Sequence, residues 1–523
     1  MTRPRGGQRA PVALALPAVL TVTLLLLPVV YLVLRAGSGG SEAWDVLWRR
    51  STAELLWSTG LLVVAVTAAS LAIGVTLAWL VTRTDLPGRR LWLIMAALPL
   101  VIPSYVAAFC LLGALGPRGL LQRLLGVERL PEIYGFWGAL LALTLSTYPY
   151  VLLLTAAALR GLDPSVEEAA RGLGRSPREV FLRVTLPALR PAMGAGALLV
   201  ALYTLSDFGV VSLMRYDALT RAIYLQYRSL FDRTPAAVLA LVLVVLTALV
   251  LVVEGRARRR THRTMPGVAR ELRPHALGPW KVPAVTFCGL VVGVFLLLPA
   301  TVLGYWLTRG LERAEWPWRE GLNSVTASAL AAAVAALAVL PIALLAARYP
   351  AAWTRLLERL SFTGNALPGI VIALSLVFFA ANYASPLYQT LALLVFAYVV
   401  RFLPQALAGV ESSLAAVGPR VEEAARALGR SPVRASLTVT VPLVRSGIFA
   451  GAALVFLSAM KELPATLLLR PIGFETLATE IWKFTSVGAY SEAALPALIL
   501  IAVSAPFVYL LADERRREPT VPG

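Results

Sequence analysis

Charge is scarce in this sequence, and so are the residues that build most catalytic and metal sites. Charged residues make up 15% of 523, with two histidines and two cysteines. An average soluble domain carries roughly 25% charged residues, so a freely soluble globular chain is excluded. Cys110 and Cys288 each sit inside an apolar run and read as small packing residues rather than a disulfide or a metal site. His262 and His275 fall in a basic stretch with no cysteine or carboxylate cluster near them in sequence, so no metal-ligand spacing appears. The only lysines are Lys281, Lys461 and Lys483, and none follows a glycine. No G-x-x-x-x-G-K-[ST] phosphate loop is therefore present.

What is abundant is apolar sequence: 58% hydrophobic residues and a mean hydropathy of +0.74. Crossing a bilayer as a helix takes roughly 20 residues, and helices satisfy their own backbone hydrogen bonds in lipid. The uncharged run Val12–Leu34 is too long for a signal-peptide core and reads as a retained helix. Apolar spans are expected at about 12–34, 58–82, 91–113, 136–159, 192–213 and 234–253. A second set follows at about 282–307, 321–347, 361–381, 387–410, 446–468 and 493–512. The uncharged stretch Leu360–Val400 holds two crossings, with a turn expected at Asn382–Pro386.

The net charge of +19 raises the possibility of nucleic acid, but its distribution argues against it. Basic residues concentrate in alternate inter-span segments, including the tail with Arg3, Arg5 and Arg9 and a linker over 256–281. This is the positive-inside pattern. It puts both termini and the linker in the cytoplasm and implies membrane lipid, not nucleic acid, as the surroundings. The fold expected is an all-α membrane protein of about 12 transmembrane helices.

One stretch occurs twice. Glu167-Glu168-Ala169-Ala170-Arg171-Gly172-Leu173-Gly174-Arg175-Ser176-Pro177 returns as Glu422-Glu423-Ala424-Ala425-Arg426-Ala427-Leu428-Gly429-Arg430-Ser431-Pro432, at an offset of 255. Arg83 and Arg348, then Pro103 and Pro368, match at an offset of 265. An even number of spans separates the copies, so the two six-helix repeats run in parallel. Such repeats place a pathway at their interface. The expected division is 1–255, the linker 256–281, and 282–523, with the motif at 164–187 and 419–442.

The motif has a readable grammar. Asp163-Pro164 suits a helix start, Glu167 and Glu168 favour its N-terminus, and Gly174 suits a left-handed stop. Ser176-Pro177 starts a second short helix, and Pro187 or Pro191 closes the elbow. Gly418-Pro419, Gly429, Ser431-Pro432 and Pro442 repeat the pattern. Two short helices joined at a glycine would form a rigid knob.

Glu168-Ala169-Ala170, then Gly174 and Val184-Thr185-Leu186-Pro187, resembles the signature of permease subunits of binding-protein-dependent ABC importers. Glu423-Ala424-Ala425, Gly429 and Val439-Thr440-Val441-Pro442 repeat it, with Val441 in place of the usual leucine. Two halves fused in one chain resemble the ferric-iron and thiamine permeases. Lys461–Arg470, Gly473–Thr479 and Ser206–Val211 look most like the ferric-iron type. The resemblance implies a type I importer permease in the bacterial inner (plasma) membrane, multi-pass and not itself an enzyme. It implies two separate ABC ATPase subunits, which use ATP-Mg, and a periplasmic or lipid-anchored solute-binding protein; no cofactor would be bound by this chain. Glu167, Glu168, Ala169, Ala170 and Gly174, with Glu422, Glu423, Ala424, Ala425 and Gly429, would form the coupling helices that dock on the ATPases. Thiamine, a polyamine or an organic phosphonate remain alternative cargoes. An ion-coupled secondary transporter is the alternative of another class, but the spans offer almost no mid-span acids for a coupling ion.

Asp207 and Glu462 are equivalent under the repeat and lie in apolar spans. They read as an outer gate or cation path, or as caps of helix breaks pairing with Arg215 or Lys461. Arg401 interrupts an apolar span near Tyr398. It reads as an interior partner of Glu462, or as a side chain reaching for the interface. Ser206 and Tyr398 complete the pathway candidates, and the coordination of any metal is left open. Pro99, Pro103, Pro149, Pro368 and Pro404 are expected to kink helices.

Overall fold

A computed structural model describes residues 10–38, 40–117, 119–128, 131–228, 234–259, 274–310 and 315–514. The basic tail, His262 and most of the linker lie outside them. Among the described residues the chain is helical, and nine helices are long and apolar enough to cross a membrane. Two bent pairs bring the number to eleven, and the shorter apolar helix Tyr490–Ala505 stands in the twelfth place. The turn expected in the long uncharged run falls between Tyr383 and Leu391, next to a short turn at Ser385–Leu387.

Within the first half, the second span (Arg50–Arg83) packs along the fourth (Phe136–Gly161) and the fifth (Phe181–Ser206). In the second half the eighth span (Trp318–Arg348) packs in the same way on the tenth (Leu391–Ala416) and on Arg445–Met460. Between membrane helices the apolar side chains gain little over lipid, so hydroxyl pairs contribute specificity. The buried pair Ser70 and Thr147 joins the second and fourth spans at 2.9 Å.

The leading span of each half crosses to the other half. Val12–Gly37 packs on Trp318–Arg348 and Gly369–Tyr383, and Tyr31 meets Phe379 and Tyr383 edge-on at 6.0 Å. Conversely, Leu298–Gly310 packs on Ser104–Leu115, and the Trp306 indole donates to the Gly113 carbonyl at 3.1 Å.

Four spans expected to be continuous are broken. The third divides into Arg89–Ala97 and Ser104–Leu115, separated by a tight turn at Leu98–Val101 ahead of Pro103. In the ninth, Ala352–Asn365 and Gly369–Tyr383 meet at 103° ahead of Pro368. Each proline disfavours helical geometry in the residue before it, so it breaks the span rather than kinking it. Pro149 and Pro404, by contrast, sit inside continuous helices. The fifth span stops at Ser206 and resumes as Gly209–Leu213; the eleventh stops at Met460 and resumes as Pro464–Leu469.

The elbow also differs from the expected pair of separate helices. Pro177–Val180 runs without a gap through a π-turn at Phe181–Thr185 into Leu186–Ser206, across Pro187 and Pro191. Only the second copy bends before its span, by 71° between Pro432–Leu443 and Arg445–Met460.

Candidate functional site

Each elbow is fastened by one buried carboxylate. In the first, Asp163 accepts from the Ser165 amide at 2.9 Å and starts the helix Pro164–Gly172. Glu167 turns inward, 8% exposed, and accepts from the Thr185 hydroxyl at 2.8 Å. The Arg83, Arg171 and His275 side chains stand 3.7, 3.8 and 3.9 Å from its carboxylate. In the second, Glu422 is 5% exposed. It accepts from Arg348 Nε at 3.1 Å, Ser436 at 3.1 Å and Thr440 at 2.9 Å. Arg83 matches Arg348 and Thr185 matches Thr440 under the repeat. Each elbow is thus joined to the end of one long span and the root of another.

Burial alone would raise the Glu167 carboxyl. The His275 imidazole, the Arg83 charge and the Thr185 hydroxyl outweigh it and hold the group below its ordinary value. His275 has a carboxylate beside it after all, because the segment from residue 274 lies against the end of the second span. Its amide donates to the Arg83 carbonyl at 2.8 Å, and its carbonyl accepts from the Asp85 amide at 3.0 Å. Asp85 in turn accepts from the Leu277 amide at 2.9 Å and pairs with Lys281 at 3.2 Å.

Gly174 (φ +81°) and Gly429 (φ +88°) end their helices in the left-handed region. The following amides reach back, Arg175 to the Ala170 carbonyl at 3.3 Å and Arg430 to the Ala425 carbonyl at 3.2 Å, which closes each helix end. Glu168, Ala169, Glu423 and Ala424 are exposed, Ala170 is half-buried and Ala425 is buried. Leu173 and Leu428 stand 82% and 87% exposed. Each knob thus presents an exposed apolar side chain at its glycine stop.

The four breaks meet around a central cavity of about 640 Å³ between the halves, lined among others by Ser104, Tyr105, Ser206, Asp207, Arg401 and Glu462. Both acids cap the helix that follows them. Asp207 accepts from the Val210 amide at 2.8 Å and Glu462 from the Ala465 amide at 3.1 Å. Their remaining partners differ. Asp207 accepts from the Ser104 hydroxyl at 2.5 Å, and Glu462 from Arg401 Nη1 at 2.7 Å. Neither expected alternative partner is used: Arg215 lies over the Tyr134 ring, and Lys461 donates to the Leu100 carbonyl at 3.3 Å. Arg401 faces the interior, 20% exposed at its side chain. Tyr398 does not line the cavity. It is buried behind it and donates to Thr466 at 2.6 Å, because Thr466 already donates to the Glu462 carbonyl. Among the described residues no group of three or more His, Cys, Asp and Glu side chains gathers to hold a metal ion.

Sequence reasoning missed Ser104, Tyr105, Gly369 and the bolts Thr185 and Thr440. The offsets carried part of the signal: 265 sets Ser104 against Gly369, and 255 sets Ser146 against Arg401. The repeat keeps its acids and changes the residues around them.

A duplicated helical unit with an elbow in each copy and a polar cavity between the copies defines a two-repeat membrane permease. The family of binding-protein-dependent transport system inner membrane components matches residues 70–263 and again 339–518, and the chain belongs to it. The Fe(3+)-transport system permease protein FbpB 2 of Haemophilus influenzae is 35% identical over 516 residues, 96% of this chain and 98% of its own length. The ferric transport system permease protein FbpB of Actinobacillus pleuropneumoniae is 24% identical, covering 87% of this chain and 69% of its own. The sulfate transport system permease protein CysW of Escherichia coli is 28% identical but covers only 46% of this chain. The protein is accordingly a transport permease of the inner membrane, of a binding-protein-dependent system.

Proposed function

We propose that the protein is the permease of an ATP-driven importer that moves ferric iron, delivered by an external binding protein, through the cavity between its two halves. The observation that carries the cargo is the near full-length match to an Fe(3+)-transport system permease. The sulfate relative, by contrast, matches less than half of this chain. The cavity supports the cargo with oxygen ligands, the donors a hard cation prefers. The elbows lie on the basic, cytoplasmic side together with both termini, and each docks one ATPase subunit, where ATP-Mg is used. Two knobs of the same build call for two identical subunits.

The mechanism follows from the attachments. Closure of the ATPase pair presses on the tips at Leu173 and Leu428. Glu167 and Glu422 pass that displacement to Arg83 and Arg348 at the ends of the second and eighth spans, and to Thr185 and Thr440 at the roots of the fifth and eleventh. Those spans end at Asp207 and Glu462, so movement at the elbow repositions the residues lining the cavity. The test is uptake of radioactive iron into proteoliposomes holding the permease and its ATPase, supplied with ferric-loaded binding protein. ATP-dependent uptake is expected; uptake without ATP would replace this reading with an ion-coupled transporter.

A further inference from the structure

Four charged side chains line the central cavity, Asp207 and Glu462 against Arg401 and Lys461. Both acids are already engaged. Asp207 accepts from Ser104 and the Val210 amide, and Glu462 from Arg401 and the Ala465 amide. Gly369 leaves room for the Arg401–Glu462 pair, since a Cβ there would overlap the guanidinium. Lys461 is placed differently. It makes no ion pair among the described residues, and its one hydrogen bond runs to the Leu100 carbonyl at 3.3 Å. An ammonium carries three donors, so most of its capacity is unspent. A charge within a span costs free energy until it meets a counter-charge. Gln405 lines the same cavity. Its side-chain oxygen accepts from the Ser458 hydroxyl at 2.8 Å, which leaves its amide N–H groups without a partner among the described residues. Under the repeat, Ser146, Tyr150 and Ser206 of the first half stand where the second has Arg401, Gln405 and Lys461. The second half thus offers the cavity N–H donors where the first offers hydroxyls.

We propose that the ferric ion crosses as a complex with an oxyanion, whose anionic oxygens accept hydrogen bonds from Lys461 Nζ and the Gln405 amide. This rests on the ferric-iron reading above and names the form in which the ion travels. A bare trivalent ion would meet an unpaired ammonium in a low-dielectric cavity, where like charges repel strongly. Anionic oxygens around the ion lower its net charge and supply the hard donors it prefers. They also present to the second half the acceptors its N–H groups lack, and a charge-assisted hydrogen bond from an ammonium is among the stronger contacts a protein makes. One ammonium with one neutral amide holds such a complex firmly enough to admit it and loosely enough to release it.

The test uses the whole importer in proteoliposomes. The binding protein is loaded with radioactive ferric ion in separate arms containing radioactive phosphate, bicarbonate or citrate. In at least one arm the anion is expected to enter with ATP, in fixed proportion to iron, and that arm tells an inorganic oxyanion from an organic carboxylate. Lys461→Met should lower entry of both labels about tenfold or more, the order expected for losing a hydrogen bond from a charged group, while binding-protein-stimulated ATP hydrolysis continues. Lys461→Arg should restore most of the uptake, and Gln405→Leu should lower it in the same sense as Lys461→Met. Iron entering with none of the three anions overturns the proposal. So does a Lys461→Met variant that only lowers the thermal midpoint and keeps full uptake, since Lys461 would then merely tie the halves together at Leu100. If Lys461→Met does not assemble, Gln405→Leu decides, and unchanged uptake there overturns the proposal. Entry of no iron into liposomes holding the unaltered importer, despite ATP turnover, overturns the cargo assignment itself, and this inference with it.

Discussion

At the scale of single residues, the carboxylates that hold the elbows are Glu167 and Glu422, not their exposed neighbours Glu168 and Glu423. Removing one partner of a buried ion pair costs about 3–5 kcal/mol, because the other charge stays behind unpaired. Glu422→Ala strands Arg348 and should loosen the second elbow without unfolding the bundle, measured as faster hydrogen exchange over residues 419–430. Glu423→Ala should leave that exchange unchanged. The Glu167 carboxyl sits below its ordinary value when folded, so its contribution is fully present above its unfolded value. That contribution is lost as pH falls through the folded value. Exchange in residues 164–173 should therefore accelerate on acidification below the usual carboxylate range; no change in that window would show that Glu167 does not anchor the elbow.

At the scale of elements, the elbow's stop and the ninth span's break each depend on one missing side chain. A left-handed residue with a Cβ costs about 1–2 kcal/mol, so Gly174→Ala and Gly429→Ala should each destabilise a knob by that order. Transport should fall while the amount of protein in the membrane is unchanged, which quantitative blotting beside uptake would establish. Gly369→Ser installs the first half's residue in the second half. It should push Arg401 off Glu462 and lower the thermal stability of the purified protein, and a thermal midpoint equal to wild type would contradict the packing. These elements show where sequence reading succeeds. Gly174, Gly429, Asp163 and Ser431 were legible because caps and left-handed stops are local chemistry. The breaks at Asp207 and Glu462 were legible only as one of two alternatives, because apolar sequence on both sides of an acid also reads as one continuous span. What ends the helix there is the side chain turning back onto amides three residues ahead.

At the scale of the whole molecule, the duplicated architecture was legible from offsets and charge distribution, whereas the pairing across halves was not. Nothing in the composition of Val12–Gly37 says that it packs on Trp318–Arg348. The exchange predicts that a chain cut within residues 260–273 stays together. Fragments 1–259 and 274–523, produced in one cell, should co-purify in detergent; recovery of separate fragments would show that the linker, not the exchanged helices, joins the halves. The segment from residue 274 adds an asymmetry of its own, since His275 stands beside Glu167 of the first elbow, whereas Glu422 of the second pairs with Arg348.

The exchanged leading helix also bears on synthesis. Val12–Gly37 is made long before Trp318–Arg348, the partner across the halves, although Thr234–Arg259 of its own half also packs on it. At about 5–20 residues per second, that helix waits tens of seconds in lipid before its partner across the halves exists. It must be stable there alone, and its mean hydropathy of 2.5, with no charged residue before Arg35, suits a segment that dissolves in the bilayer first and finds its place later. A polar substitution on its lipid-facing side would then act during biogenesis, through premature degradation, rather than in the finished transporter.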